Sequence, residues 1–309
     1  MKVILAHPRG FCAGVVRAIE IVKRSVEQLD KPVYVRHEIV HNKHVVDELR
    51  QMGATFVEEV SEIPDGTAAI FSAHGVSKAV VAEAEARGLD SIDATCPLVE
   101  KVHRQVHRLE RLGYEILLIG HAGHPEVEGT TGQMRDPARM HLVQTVEDAE
   151  AVEVADGRPL AYVTQTTLSL DDTAEIVATL KRRFPQLEDA PTDDICYATQ
   201  DRQVSIKRLA QAADVVLVVG AANSSNSVRL AEVAKAIGTP AYRIASVWEL
   251  EEAWLDGAET VALTAGASVP ELLVAEVVDY LQEHFGAEVV EDPVGEPEHV
   301  RFPLPVRLR

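Results

Sequence analysis

The chain has 309 residues, and its 30 Lys and Arg against 49 Asp and Glu give a formal net charge of −19. This balance argues against a general nucleic-acid binder and against a protein that docks on an anionic membrane, because both need a basic face. Hydrophobic residues at 46% and charged residues at 26% are typical of a globular protein, and the short apolar runs predict neither a membrane span nor a signal peptide.

Strands and helices are predicted to alternate in chain order, which is typical of an α/β fold with mainly parallel sheets. Residues 3–6 form the first predicted strand, and regularly spaced apolar residues at 15–29 predict an amphipathic helix. Residues 97–112 predict a helix that begins at Pro97, and 270–285 predict another near the C-terminus. Short apolar runs predict buried strands at 33–35, 69–71, 115–119, 160–163, 215–219 and 260–264.

A repeat emerges when the chain is aligned on its three cysteines, Cys12, Cys96 and Cys196. After each cysteine come a helix, a strand and a polar turn, at 41–42, 121–124 and 223–226. Each segment then continues through a helix and two strands to a second polar turn, at 72–75, 164–167 and 264–268. We therefore expect three similar α/β units with mainly parallel sheets around a pseudo-threefold axis.

The repeat also predicts the domain organisation. The first unit spans 13–96, the second spans 97–195, and the third spans 196–290 and is completed by the N-terminal strand 1–12. Residues 291–309 hold several prolines and little periodicity, and we expect an extended C-terminal tail.

The three cysteines point to metal chemistry. An odd number of cysteines in a long chain argues against a disulfide framework and for a reducing cytoplasm. If the units pack around one axis, the three thiols converge, because loops after parallel strands meet at one edge. Zinc is one interpretation, but Cys-x-x-Cys spacing is absent and structural zinc needs four ligands. An iron–sulfur cluster with three thiolates and one open iron fits better.

The polar turns supply donors and an acid. Any one of these residues is more often an ordinary turn or helix-capping residue, but their common phase in the repeat favours binding of an anion such as a phosphate group. Glu126 is an ordinary first-turn glutamate unless a pocket closes around it, in which case it becomes a proton source. The residue pattern favours binding for His41, His74 and His124 and for the turn that holds Ser224, Ser225 and Asn226, and it leaves Thr166 and Ser268 open between helix capping and binding.

Nine short motifs are spread over the chain. They lie at 8–15 (PRGFCAGV), 40–42 (VHN), 71–77 (FSAHGVS), 93–99 (DATCPLV), 120–130 (GHAGHPEVEGT), 164–169 (TQTTLS), 194–199 (DICYAT), 223–227 (NSSNS) and 264–268 (TAGAS). With these motifs nearly the whole chain resembles one known family, the 4-hydroxy-3-methylbut-2-enyl diphosphate reductases (the LytB/IspH family) of the methylerythritol phosphate route to isoprenoids. No motif position departs from the family pattern.

The resemblance implies a fold of three α/β units, a function and a set of site residues. Cys12, Cys96 and Cys196 would hold one [4Fe–4S] cluster with one open iron, and Glu126 would deliver protons. Thr166 would lie near the substrate hydroxyl. The reaction would be a two-electron reductive dehydroxylation of (E)-4-hydroxy-3-methylbut-2-enyl diphosphate to isopentenyl and dimethylallyl diphosphate, with ferredoxin or flavodoxin as electron donor. The remaining candidates would bind the diphosphate: His41, His74, His124, Ser224, Ser225, Asn226 and Ser268.

Two other functions stay open from the sequence. A non-redox [4Fe–4S] dehydratase also uses an open iron, but it turns over without an electron donor. A cluster-bearing sensor without catalysis has little use for a polar turn from each unit.

Overall fold

The computed structural model describes residues 1–155, 157–189 and 193–309. Its strands, in chain order, are β1 (Lys2–Leu5), β2 (Val33–Arg36), β3 (Thr55–Val57), β4 (Ala68–Phe71), β5 (Asp90–Asp93), β6 (Glu115–Ile119), β7 (Met140–Val143), β8 (Leu160–Thr164), β9 (Leu187–Glu188), β10 (Val215–Val219), β11 (Ala241–Ile244), β12 (Thr260–Ala265) and β13 (Glu288–Glu291). Its α-helices are α1 (Ala13–Gln28), α2 (Lys43–Gln51), α3 (Lys78–Ala86), α4 (Pro97–Arg111), α5 (Pro125–Thr131), α6 (Val146–Ala151), α7 (Leu170–Arg183), α8 (Tyr197–Ala210), α9 (Ser225–Ala236) and α10 (Glu271–Phe285).

The strands form three parallel sheets, and the chain divides into two compact units. The predicted α/β class with parallel sheets is confirmed, and three sheets are consistent with three similar α/β units. The predicted bounds 13–96, 97–195 and 196–290 stay a prediction, and residues 156 and 190–192 of the second range lie outside the described residues.

The first compact unit comprises Met1–Val16, His41–Val45 and Tyr197–Arg301. Its sheet has the order β11-β10-β12-β1-β13, so the first strand of the chain lies between two of the last three. Strand β10 is apolar throughout because it is buried on both faces. Val215, Leu217 and Val219 pack on one side, while Val216 and Val218 pack on the other.

The second compact unit comprises Arg17–Val40, Val46–Cys196 and Phe302–Arg309. It holds two parallel sheets of the orders β3-β2-β4-β5 and β7-β6-β8-β9. The central strands β4 and β6 are buried along their whole length. The polar turns at 72–75 and 164–167 begin where β4 and β8 end, so they lie at the carboxyl edges of their sheets, where α/β proteins place ligands.

The helices follow the predicted pattern closely. Helix α4 begins at Pro97, as the proline rule predicts, and buries Val99, Val102, Val106 and Leu109 along one face. Helix α10 ends at Phe285, and the Gly286 that follows adopts the left-handed conformation that glycine tolerates best. In the part of the chain that is described, no helix is long and apolar enough to cross a membrane.

The C-terminal segment is anchored at its end. After β13 ends at Glu291, residues 292–305 form neither helix nor strand, and a short 3₁₀ turn follows at Val306–Leu308. Leu308 is fully buried, and its carbonyl accepts a hydrogen bond of 3.0 Å from Arg24. Burial of this last apolar side chain fixes the segment on the second compact unit.

Candidate active site

Each cysteine occupies the same local position. Cys12, Cys96 and Cys196 directly precede α1, α4 and α8, and Cys96 is the N-cap of its helix. The backbone amides of the three cysteines donate to carbonyls of the second polar turns, Cys12 to Ala267 (3.1 Å), Cys96 to Ala73 (2.9 Å) and Cys196 to Thr166 (3.1 Å). The repeat seen in the sequence is therefore also a repeat of hydrogen bonds. A thiolate at a helix N-terminus is stabilised by the positive end of the helix dipole.

The cysteines are free thiols, and all three are partly buried. Burial raises the pKa of the Cys12 thiol, whereas the charge of Arg202 and the amides of Val15 and Gly14 act in the opposite direction. Such a thiol keeps its proton until a metal displaces it, as is usual for thiolate ligands. Among residues 1–155, 157–189 and 193–309, no three His, Cys, Asp or Glu side chains are grouped closely enough to bind a single metal ion.

Two of the predicted histidines meet in the second compact unit. The rings of His74 and His124 are perpendicular, and their centroids lie 5.8 Å apart. The Nδ1 atom of His124 accepts a hydrogen bond of 3.1 Å from the Glu126 amide at the start of α5. An Nδ1 that accepts leaves Nε2 to carry the ring proton, so His124 can donate through Nε2.

A close approach between backbones brings these histidines together. Helix α5 packs against the turn after His74, and a Cβ atom on Gly129 would lie 3.1 Å from the Gly75 carbonyl carbon and oxygen. Gln133 adds a hydrogen bond of 2.7 Å from Nε2 to the Val76 carbonyl. Because Gly129 lacks a side chain, the helix and the turn approach closely enough for the two rings to touch.

Glu126 is the most perturbed acid of this region. It is only 3% exposed, and its two carboxylate oxygens accept hydrogen bonds from the Thr166 amide (2.6 Å) and the Thr166 hydroxyl (3.0 Å). Burial raises the pKa of Glu126 from 4.5 to about 7 against these two hydrogen bonds, and the nearby charge of Asp194 raises it further. A carboxyl group with a pKa near neutrality can both hold and release a proton at physiological pH.

Two further residues of the sequence motifs, Asp194 and Gln165, also lie in this region, although the sequence predicts no role for them. Asp194 is buried, its Oδ2 accepts from the Thr164 amide (3.1 Å), and burial raises its pKa to about 6. Gln165 is 1% exposed, and its side chain accepts from the His121 amide (3.1 Å) and donates to the Thr167 hydroxyl (3.0 Å). Both residues lie in the sequence motifs at 164–169 and 194–199, but the contacts of Asp194 with Thr164 and of Gln165 with His121 join segments that are distant in the sequence.

The first compact unit contains the other predicted binding residues. The Ser268 hydroxyl donates to the His41 carbonyl (3.1 Å), and Asn223 lies at 3.5 Å from the His41 ring. Ser224 is the N-cap of α9, whose first residue is Ser225. These contacts gather the 41–42, 223–227 and 264–268 turns at one end of the sheet.

Asn226 gives the clearest sign of a ligand in this unit. Its side chain is 4% exposed, yet neither its amide nitrogen nor its amide oxygen has a hydrogen-bond partner within the described residues. Leaving a buried polar group unsatisfied costs about 1–3 kcal/mol. A bound polar molecule at the N-terminus of α9 would satisfy both atoms.

Comparisons of this chain with known proteins all point to the same family. The model of the family described as LytB protein matches residues 3–282. A 4-hydroxy-3-methylbut-2-enyl diphosphate reductase from Sodalis glossinidius is 54% identical over 100% of this chain and 98% of that protein, and one from Idiomarina loihiensis is 56% identical over the same shares.

Solved structures give the same result. The E-1-hydroxy-2-methyl-but-2-enyl-4-diphosphate reductase from Plasmodium falciparum matches with a TM-score of 0.94 and 38% identity, over 99% of this chain and 96% of that chain. A structure described as (E)-4-hydroxy-3-methyl-but-2-enyl diphosphate reductase, the terminal enzyme of the non-mevalonate pathway, matches with a TM-score of 0.65 and 34% identity, over 92% of this chain and 100% of that chain. The resemblance found in the sequence is confirmed, and the chain belongs to the LytB family.

Proposed function

We propose that the protein is a 4-hydroxy-3-methylbut-2-enyl diphosphate reductase that catalyses the last step of the methylerythritol phosphate route. It converts an allylic alcohol diphosphate to isopentenyl and dimethylallyl diphosphate plus water. Two electrons and two protons enter, the C–O bond breaks and a C–H bond forms. One observation carries the proposal: Thr166 donates two hydrogen bonds to Glu126 and its carbonyl accepts one from the Cys196 amide, so a single residue links a buried acid to the backbone of a cysteine.

The proposed cofactor is one [4Fe–4S] cluster per chain, held by Cys12, Cys96 and Cys196 with one iron left open. The donor set fits this group, since all three ligands are free thiols at helix N-termini. Soft thiolates suit iron–sulfur clusters. When bound, such a cluster supplies single electrons and a Lewis-acidic iron for the substrate hydroxyl.

The proposed role of the polar turns is to hold the substrate diphosphate. A protein of net charge −19 needs local compensation for such an anion. Helix N-termini, hydroxyl and amide donors and imidazole N–H groups supply it without a Lys or Arg cluster. Thr166 would lie near the substrate hydroxyl. The diphosphate would be held by His41, His74, His124, Ser224, Ser225, Asn226 and Ser268.

The proposed role of Glu126 is to protonate the departing oxygen. Hydroxide is a poor leaving group, so the C–O bond breaks far more easily when the oxygen leaves as water. Below pH 7 the buried carboxyl keeps its proton, and the hydrogen bonds from Thr166 then stabilise the carboxylate that remains after transfer. The diphosphate contributes binding energy away from the reacting carbon and orients it toward the acid.

The proposal includes a protein electron donor, ferredoxin or flavodoxin, and a cytoplasmic location, where a reducing environment preserves free thiols. Neither a nucleic acid nor a membrane has a part in it.

The decisive experiment is an anaerobic assay of the iron-loaded protein with the allylic diphosphate, with and without dithionite. We expect both products only when the reductant is present, and protein stripped of iron serves as the control. Conversion without reductant would replace the reductase with a dehydratase. Fully loaded protein that converts nothing under either condition would leave a sensor as the function.

A further inference from the structure

A cluster of positive charge stands out on this acidic chain, outside the candidate active site. It lines a cavity of about 650 Å³ in the second compact unit. Five Lys and Arg side chains and one histidine surround two acids there. We call it the α4 basic pocket, and its residues are Lys78, Arg104, His107, Glu110, Arg111, Arg135, Asp136 and Arg139.

Hydrogen bonds between three chain segments build the α4 basic pocket. Glu110 on α4 accepts from the backbone amides of Arg135 (2.6 Å) and Asp136 (3.3 Å), which holds the segment after α5 against the helix. Lys78, the first residue of α3, donates from Nζ to the Gln133 carbonyl (2.6 Å). These hydrogen bonds to the main chain hold the three segments together, and Arg139 adds longer ion pairs to Glu110 and Asp136.

The pocket keeps a net positive charge, although Arg104 is paired with Glu100 (2.9 Å) and Arg139 lies near Asp136 (3.5 Å) and Glu110 (3.8 Å). Burial lowers the pKa of His107, and the charge of Lys78 lowers it further. The same positive charge acts on Glu110. Burial raises the pKa of Glu110, but the backbone amides that it binds and the charge of Lys78 lower it below its ordinary value. Arg111 and Arg135 are exposed and have no ion-pair partner among the described residues. Clustered like charges repel one another, so an anionic partner would relieve this repulsion.

The pocket also has a direct structural connection to a cysteine. Helix α4 begins immediately after Cys96, and its exposed side continues into the pocket. At a rise of 1.5 Å per residue, Arg104 lies about 12 Å from Cys96 along the helix axis, and His107 about 16 Å. A molecule docked in the pocket would lie at one end of a rigid helix whose other end carries a proposed cluster ligand.

We propose that the α4 basic pocket is the docking site of an acidic one-electron carrier protein. The inference rests on the proposed function, whose reaction needs two electrons from outside the chain. Two carrier molecules are each oxidised by one electron, and the substrate takes up both electrons and two protons. Its C–O bond breaks, the hydroxyl leaves as water with one proton, and the second proton forms a C–H bond. A protein partner fits better than a small phosphorylated molecule, because Arg104, Arg111 and Arg135 are exposed and Leu112, next to Arg111 in the chain, is 58% exposed.

Electrostatics explains why the docking site has to be local. A chain of net charge −19 repels an acidic carrier over most of its surface. A basic patch on such a chain steers the carrier to one place, and steering of this kind raises association rates by about 10- to 1,000-fold at low salt. Transient electron-transfer interfaces are small, so a few side chains decide their affinity.

The test compares two double variants of the iron-loaded enzyme. Arg111→Glu with Arg135→Glu reverses two unpaired charges of the pocket. Lys235→Glu with Arg182→Glu changes the net charge equally at the last turns of two other helices. The probe is a small reduced ferredoxin of net negative charge. Binding is measured by titration calorimetry at low and high salt, and turnover is measured once with the ferredoxin and once with dithionite.

We expect the pocket variant to weaken ferredoxin binding and to lower ferredoxin-supported kcat/KM by about 10-fold or more at low salt, with a smaller loss at high salt. Dithionite-supported turnover should stay within about twofold, as should every measurement on the control variant. Equal ferredoxin binding by the pocket and control variants would overturn the docking site. So would loss of binding of inorganic diphosphate, with ferredoxin binding unchanged, in the pocket variant, since that result makes the pocket a small-anion site. Absence of turnover with dithionite in the unaltered enzyme would overturn the proposed function, while the binding titration would still judge the docking site.

Discussion

The substitution Glu126→Gln should lower kcat and raise the free energy of unfolding of the same protein. Glutamine keeps the shape and can accept the hydrogen bond from the Thr166 amide, but it holds no transferable proton. We expect kcat to fall by roughly 10²–10⁴ while iron content stays unchanged. In the unaltered enzyme kcat should decline as the pH rises above about 7, where Glu126 loses its proton.

The stability effect follows from the same burial. The pKa of Glu126 is 4.5 in an ordinary environment and about 7 in the folded protein. Below pH 4.5 both states are protonated and the group has no effect. Above pH 7 both states are ionised, and the folded state carries the full cost of a buried charge, about 3 kcal/mol at 1.36 kcal/mol per pKa unit. Stability contributed by this site is therefore lost as the pH rises from 4.5 through 7.

The neutral glutamine carries no such cost. The free energy of unfolding of Glu126→Gln should exceed that of the unaltered protein by a margin that grows by roughly 2–3 kcal/mol between pH 5 and pH 8. Urea unfolding at matched iron content measures this margin. Glu128→Gln, at an exposed position of the same helix, is the control and should show no such trend. A margin that does not change with pH, or a kcat near that of the unaltered enzyme, would refute the assignment of Glu126 as a buried acid.

Three further changes test other parts of the site. Replacing Cys12, Cys96 or Cys196 by serine, one at a time, should remove most of the iron and most of the activity. Iron analysis and a product assay measure both, and a variant with full iron and full turnover would contradict ligation by three thiolates. Asn226→Ala should raise KM more than it lowers kcat, because its unpartnered amide is available to the bound substrate before and during reaction; steady-state kinetics decides, and an unchanged KM would remove it from the binding site. Gly75→Ala should destabilise the protein by about 2–4 kcal/mol, since it adds to a φ of +81° a Cβ only 2.7 Å from a His103 ring carbon. Gly88→Ala, with a φ of +65° and open space, should cost only the backbone part, and equal losses in urea unfolding would show that the contact with His103 is unimportant.

The sequence by itself determined the elements and the chemistry at their ends. The apolar run at 215–219 predicts a strand buried on both faces, and β10 has that range. The proline at 97 predicts the first residue of α4, and the helix begins there. Cysteine spacing revealed the repeat, and the identical amide-to-carbonyl contact of each cysteine follows from it. Such features depend on neighbours in the sequence, so a local pattern is enough to predict them.

Only the tertiary structure decided what the acids and bases of the chain can do. From the sequence, Glu126 is an ordinary first-turn glutamate, and only in the fold does Thr166, from the turn after β8, pack against its carboxylate and exclude water from it. Asp194 gains its raised pKa in the same way, and the α4 basic pocket exists only because Glu110 holds the segment after α5 against its own helix. The pKa of a side chain and the electrostatic field in a pocket depend on the loss of water and on nearby charges. These charges lie far apart in the sequence, and only tertiary packing brings them close together. The sequence therefore predicts which residues carry the chemistry, and the fold sets the proton affinities of the acids and the partners of each side chain.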